Sequence, residues 1–355
     1  MDSIIMWIMA FGAVAGGLDR IFGNRFGLGE RFEEGFRLLG PTALSMVGIL
    51  CLEPLISAAL GAHIGPWLTH MGHDPGMLGA LLAIDMGGYP LAVGLAADPL
   101  VGLYAGIIAS ALFGCTVSFT IPVGMGMLHA GERDDFARGI LFGLIAMPVA
   151  LLLGGCLTGL SFIKTVVQSL PLIALSTALL MMIHFCPSVA IRGFTGFAWL
   201  LRAVITSGLV LGAFRYMTGV ELVRGLAPIE DGMAVAGSIG VVLLGSLPVA
   251  ELLQRALKKP FEWLGAKTGM DASGVAGLLM SLVSVLPTLA MFPKMDARSR
   301  VVNAAAMVCA TATLSAHLGF AAGVQPHMIA PMLAAKLAGG ALGVVLALAF
   351  TRNDC

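Results

Sequence analysis

The run Asp85-Met86-Gly87-Gly88-Tyr89-Pro90 puts a carboxylate, two glycines and a proline into the middle of an apolar segment. A carboxylate at bilayer depth costs about 2.5–3.5 kcal/mol on insertion scales and so marks a functional position by default. Gly-Gly and Pro beside it break a helix. Broken backbone is tolerated at that depth only where protein or a water-lined cavity covers it. Pro287, 197 residues after Pro90, interrupts a second apolar segment at the matching place. Two such breaks predict two re-entrant hairpins or broken helices instead of two plain crossings.

The surrounding composition agrees with a membrane setting. The chain is 58% hydrophobic and 11% charged, with a mean hydropathy of +0.95. Soluble domains carry about 25% charged residues, so the whole chain reads as an all-α, polytopic integral membrane protein. Net charge is zero and no basic run suggests nucleic acid. The apolar residues 3–18 are followed by no small-residue cleavage site, so they read as a membrane helix. The cysteines Cys51, Cys115, Cys156, Cys186, Cys309 and Cys355 are scattered with no C-x-x-C pair, which suits buried structural thiols. No cofactor and no metal are expected. His63, His70 and His73 share a short loop without a zinc-ligand pattern. Small-residue pairs such as Gly12/Gly16, Gly139/Gly143 and Gly339/Gly343 read as helix-packing positions. A homo-oligomer stays open, and lipid is the surrounding partner.

Apolar runs fall near 3–18, 37–60, 76–97, 99–128, 138–161, 166–187, 196–218, 232–254, 272–293, 300–325 and 327–350, each close to the ~20 residues a crossing needs. Cytoplasmic loops are enriched in Lys and Arg. If 76–97 and 272–293 are hairpins that leave by the face they entered, fifteen basic residues lie inside and only Lys164, Arg215 and Arg224 outside. Eleven plain crossings give a much weaker bias.

A shift of 197 superposes Glu33-Glu34-Gly35 on Glu230-Asp231-Gly232, Gly40 on Gly237, Asp74 on Asp271 and Pro90 on Pro287. The expected organisation is therefore a first repeat over 1–160, a connecting helix over 161–196 and a second, oppositely oriented repeat over 197–355. Inverted repeats with discontinuous segments meeting at the midplane are a signature of secondary transporters.

Each expected hairpin is followed by a long segment that is itself expected to be interrupted, over 116–124 (with Thr116, Ser118, Phe119, Thr120 and Pro122) in the first and over 311–320 (with Thr311, Thr313, Ser315 and His317) in the second. Ser and Thr can satisfy carbonyls freed at a helix break. The functional reading has Asp85, Gly87, Gly88, Tyr89, Ser118, Phe119, Thr120, Ser284, Ser315 and His317 converging on one substrate-binding cavity. Asp85 then serves as counter-charge to a cation, as proton carrier, or as a cap on the hairpin's second half-helix. Tyr89 and Phe119 offer cation–π attraction of roughly 0.5–2 kcal/mol, or packing. His317 relays protons, donates to a substrate oxygen, or pairs with backbone. Glu53 and Glu251 fall near segment ends, and residues 31–36 read as amphipathic surface or a joint between repeats.

The stretches FEEGF (32–36), ALSMVGI (43–49), DMGGYPLA (85–92), IPVGMG (121–126), GSIGVVLLGSLP (237–248), KMDARSRVVNAA (294–305), HLGFAAG (317–323) and PMLAAKLAGG (331–340) resemble the ethanolamine permease family, EutH. The resemblance runs over nearly the whole chain. It implies a multi-pass inner-membrane protein that takes up ethanolamine, alongside an ethanolamine ammonia-lyase pathway. The expectation is a secondary transporter for ethanolamine or a related small amino alcohol, working by alternating access at a midplane site. A passive facilitator, or a membrane sensor or anchor, is the rival. An enzyme is disfavoured, because the chain has no HExxH, no GxSxG and no second membrane aspartate to pair with Asp85.

Overall fold

The computed structural model describes residues 2–351, and among them every regular element is helical. Helix α1 (Asp2–Ile21) leads into a turn closed by the Asp19 carboxylate, which accepts from the N–H groups of Phe26, Leu28 and Gly29 at 3.0, 2.8 and 3.0 Å. These contacts satisfy the free donors at the start of α2 (Leu28–Arg37). Arg31 on α2 reaches Glu251, 220 residues away, at 3.0 Å. The segment 31–36 thus joins the N-terminal region to the second half of the chain, with Glu251 one of its anchors. After it come α3 (Leu39–His63), whose interior holds Pro54, and the short α4 (Gly65–His70).

Residues 76–97 form a hairpin. Helices α5 (Met77–Leu81) and α6 (Gly88–Leu95) are its legs, and a single 3-10 turn over Asp85–Gly87 lies at its tip. The legs touch backbone to backbone, since a Cβ on Gly79 would come within 2.4 Å of the Gly88 carbonyl oxygen. Asp74 closes the open end: its carboxylate accepts from Gly76 N (2.8 Å), Ala97 N (3.1 Å) and Asp98 N (2.8 Å). Gln168 then accepts from Asp74 N at 2.8 Å. The hydrogen-bonded Lys164 side chain holds the Asp98 carboxyl below its ordinary pKa, partly offset by burial.

The next crossing, residues 99–127, is the axis of the molecule, with 89% of its most apolar window buried. It starts as α7 (Pro99–Leu103), widens into π-helical turns over Tyr104–Gly114 and Thr116–Thr120, and ends as α8 (Ile121–Met127). The break expected around Thr116–Gly124 is absent. Pro122 has no N–H to give, and it falls at the second residue of α8, so the chain accommodates it by a change of helical pitch instead of unwinding. Two long helices, α9 (Ala130–Leu157) and α10 (Phe162–Phe185), pack around this axis.

The remaining chain comprises α11 (Pro187–Thr218), the 40-residue α12 (Ile229–Thr268), a second hairpin of α13 (Ala272–Ser281) and α14 (Val285–Met291), then α15 (Ala297–Ala310), α16 (Ala316–Val324) and α17 (Ile329–Phe350). Asp271 caps α13 by accepting from Gly274 N at 2.8 Å. Between α15 and α16 the chain unwinds, so the apolar run 300–325 is split. Eight helices among the described residues are long and apolar enough to cross a membrane. The hairpins account for two of the eleven apolar runs, and the broken α15–α16 pair accounts for another.

Glycine lets the crossings close up. A Cβ on Gly48 would lie 1.7 Å from the Ile205 carbonyl oxygen, and one on Gly245 would lie 1.9 Å from that of Met9. Gly12, Gly139 and Gly339 likewise face other helices of this chain. The cysteines Cys51, Cys115, Cys156, Cys186 and Cys309 are free, and Cys355 lies outside the described residues. Asp74→Ala is expected to strand three backbone donors at the base of the first hairpin and to destabilise the fold by roughly 3 kcal/mol. Thermal melting of the detergent-purified variant checks this, and an unchanged melting temperature would refute it.

Candidate functional site

The two breaks meet in space. At the first, Ala83 (φ +51°) and Asp85 (φ +54°) occupy the left-handed region; at the second, Ala312 does (φ +54°). Such conformations cost non-glycine residues about 1–2 kcal/mol, and they persist where the surroundings over-determine them. At the first break the backbone of the central helix supplies the constraint, because a Cβ on Gly114 would sit 2.7 Å from the Asp85 nitrogen. The second break is held by the other hairpin. Ser281 O accepts from Ala312 N (3.2 Å), Leu282 O from Leu314 N (2.9 Å) and Val283 O from the Ser315 hydroxyl. Backbone groups freed by unwinding are therefore satisfied by the tip of the hairpin.

Across this junction the His317 Nε2 lies 2.9 Å from an Asp85 carboxylate oxygen, while its Nδ1 faces the Thr311 carbonyl at 3.3 Å. His317 is the second residue of α16, so the contact is made from the first turn of that helix. No side-chain cap joins Asp85 to the start of α6. Its contact is with the other half of the chain. Both imidazole nitrogens face oxygen acceptors, and a neutral ring carries only one N–H. A single N–H therefore serves only one of the two acceptors, and the other ring nitrogen faces oxygen through its lone pair.

His317 is only 1% exposed, whereas the Asp85 side chain is 22% exposed and opens onto a cavity of about 450 Å³. Ser45, Gly87, Ser118, Phe119, Arg202 and Thr206 are among the residues that line it. The Ser118 hydroxyl donates to Gly114 O at 2.7 Å, which leaves its lone pairs free to accept. Phe119 presents a partly exposed ring. The other residues singled out in the sequence stand further back. Gly88 is buried in the contact between the hairpin legs. Tyr89 packs edge-on against Phe320 and accepts from Gln325 through its hydroxyl at 3.1 Å. Thr120 and Ser315 are buried, and Ser284 belongs to the tip of the second hairpin.

Three residues at the junction carried no functional role in the sequence reading. Cys115 on the central helix puts its sulfur among the Asp85 and His317 ligand atoms, all within 4.8 Å of one another. Arg202, exposed on α11, lines the cavity mouth. Lys336 on α17 is fully buried and donates to Ala111 O at 2.9 Å, one turn before Cys115. A lysine inside an apolar helix was the signal available for the last of these.

The chain matches the family described as ethanolamine utilisation protein, EutH, over residues 1–350. It is 38% identical to the probable ethanolamine permease EutH of Listeria monocytogenes, across 98% of this chain and 93% of that one. The probable ethanolamine permease EutH of Escherichia coli is 36% identical, across 98% of this chain and 95% of its own. At 36% identity, an uncharacterized Bacillus subtilis protein, YxeR, is similar over 96% of this chain. No solved structure matches. Its apolar helices and these relatives make the chain a multi-pass protein of the bacterial cell membrane, of the permease class, which is a transporter and not an enzyme. It belongs to the EutH family.

Lys336→Glu is expected to unfold the core or cost roughly 3–5 kcal/mol, because it buries a second carboxylate near Asp85 without a partner. Lys336→Met, similar in volume and apolar, is expected to keep the fold. Gel filtration and thermal melts of both variants in detergent test the pair; equal stability of the two would contradict the buried placement.

Proposed function

We propose that this protein carries ethanolamine, or a closely related small amino alcohol, across the cell membrane by alternating access around Asp85. The observation that carries the reading is the Asp85–His317 contact, which joins two backbone breaks at the edge of a 450 Å³ cavity. The names of the relatives supply the substrate. Ethanolamine is mostly protonated at neutral pH, and its cation crosses lipid poorly. Asp85 replaces water around the ammonium and supplies the positive charge's partner. Phe119 offers a ring face to the same group, and Ser118 accepts from the substrate hydroxyl. Seating the ammonium also gives the Asp85 carboxylate a donor of its own, so that the single imidazole N–H can serve the Thr311 carbonyl.

In this reading the chain is two inverted repeats, 1–160 and 197–355, joined by 161–196. Asp74 and Asp271 close or cap the first leg of their hairpins, and Pro90 and Pro287 are the third residues of α6 and α14. Each hairpin is followed by an irregular crossing and then a long helix. Access alternates as one hairpin and its crossing shift against the other set.

Radiolabelled ethanolamine uptake into proteoliposomes tests the assignment, with propanolamine and choline as competitors. Saturable uptake with counterflow is expected; a non-saturating flux would instead make the protein a passive facilitator. Indifference to all three amines would remove the substrate. Asp85→Asn is expected to weaken apparent affinity about 10–100-fold, since a charge-assisted contact is worth roughly 1.5–3 kcal/mol. Wild-type kinetics in that variant would leave Asp85 a purely structural residue.

A further inference from the structure

We infer that Asp85, Cys115 and His317 form a binding site for a soft divalent d-block cation such as zinc or cadmium. The carboxylate oxygen, the thiol sulfur and the imidazole nitrogen come from the tip of the first hairpin, the central helix and α16, and they lie within 4.8 Å of one another. Zinc holds sulfur at about 2.3 Å and nitrogen or oxygen at about 2.0–2.2 Å. Ligand atoms in a tetrahedral site are therefore roughly 3.3–3.7 Å apart. Reaching that spacing needs the 2.9 Å Asp85–His317 contact to open slightly and any wider separation to the Cys115 sulfur to close by about an ångström.

Two further observations point to a ligand. The Thr311 carbonyl faces His317 Nδ1 at 3.3 Å. A carbonyl in that position accepts the Nδ1 proton and leaves the Nε2 lone pair for a metal, as is usual around histidine ligands. The fourth position is open as well, because Asp85 faces the cavity from which a water or hydroxyl can complete the shell. The donor set selects the metal: thiolate and imidazole favour zinc-like cations over magnesium or calcium. On binding, the Cys115 S–H bond breaks, a metal–sulfur bond forms, and the proton leaves through the cavity. The bound cation ties the first hairpin to α16 and to the central helix, and it occupies the carboxylate that the substrate ammonium needs. Its effect on uptake rests on the transport reading above, whereas the coordination itself does not.

The test uses the purified full-length protein titrated with cadmium chloride, following the cadmium–thiolate charge-transfer absorbance in wild type, Cys115→Ser and His317→Gln. Zinc inhibition of ethanolamine uptake is then measured in proteoliposomes against each variant's own metal-free rate, with magnesium as control. The expected result is a wild-type absorbance increment missing from Cys115→Ser and zinc inhibition weakened at least about tenfold in both variants. If the serine variant aggregates, Cys115→Ala takes its place. Equal absorbance and equal zinc inhibition in wild type and the Cys115 variant would overturn the site. Absence of metal-free uptake in wild type would instead defeat the transport reading, with the cadmium absorbance still deciding the metal.

Discussion

One carboxylate at bilayer depth organises this protein. Asp85 can be held there only if something replaces water around it, and the structure supplies an imidazole at 2.9 Å from the first turn of α16, and a cavity. The imidazole and its helix lie more than 200 positions further along the chain. The contact therefore also brings the two halves of the chain together at the point where each has lost helical continuity. Unsatisfied backbone at that depth would cost several kcal/mol per group. The hairpin tip at Ser281–Val283 removes that cost by accepting from Ala312, Leu314 and Ser315.

Strain and support are distributed accordingly. Three of the four non-glycine residues with positive φ among those described are Ala83, Asp85 and Ala312, all at the junction. The structure keeps them there by clamping both hairpins at their far ends. Asp74 gathers three N–H groups at the base of the first, and Asp271 caps the first leg of the second. The π-helical axis belongs to the same picture, since π turns free backbone positions near functional sites without unwinding the helix.

The chemistry of the junction follows from counting charges and donors. Asp85 offers a carboxylate and His317 a ring whose two nitrogens both face oxygens, while the buried Lys336 amine donates to Ala111 O, one turn before Cys115. In the proposed readings the Asp85 carboxylate is the group that an incoming cation meets. Under the transport reading an ammonium from the cavity hydrogen-bonds to that carboxylate, and under the metal proposal a soft cation binds it together with Cys115. As proposed, the two ligands exclude each other because both need Asp85.

Much of this was legible in the chain alone. Hydropathy gave an all-helical membrane protein, and Gly-Gly-x-Pro beside a lone aspartate gave the first hairpin. The 197-residue offset pointed to the second, and His317 was singled out as an intramembrane histidine in a hydroxyl-rich stretch. Local signals sufficed there because they are statements about helix breaking and burial cost, which depend on neighbours in sequence. Tertiary structure alone decided that Asp85 pairs with His317 and leaves α6 uncapped, that residues 116–124 stay helical, that Tyr89 turns to Phe320 and Gln325, and that Cys115 and Lys336 reach the junction. Each of these depends on which distant side chain fills a given space. Partner choice across an interior is set by packing and by the need to satisfy buried polar groups, and no local pattern along the chain encodes it.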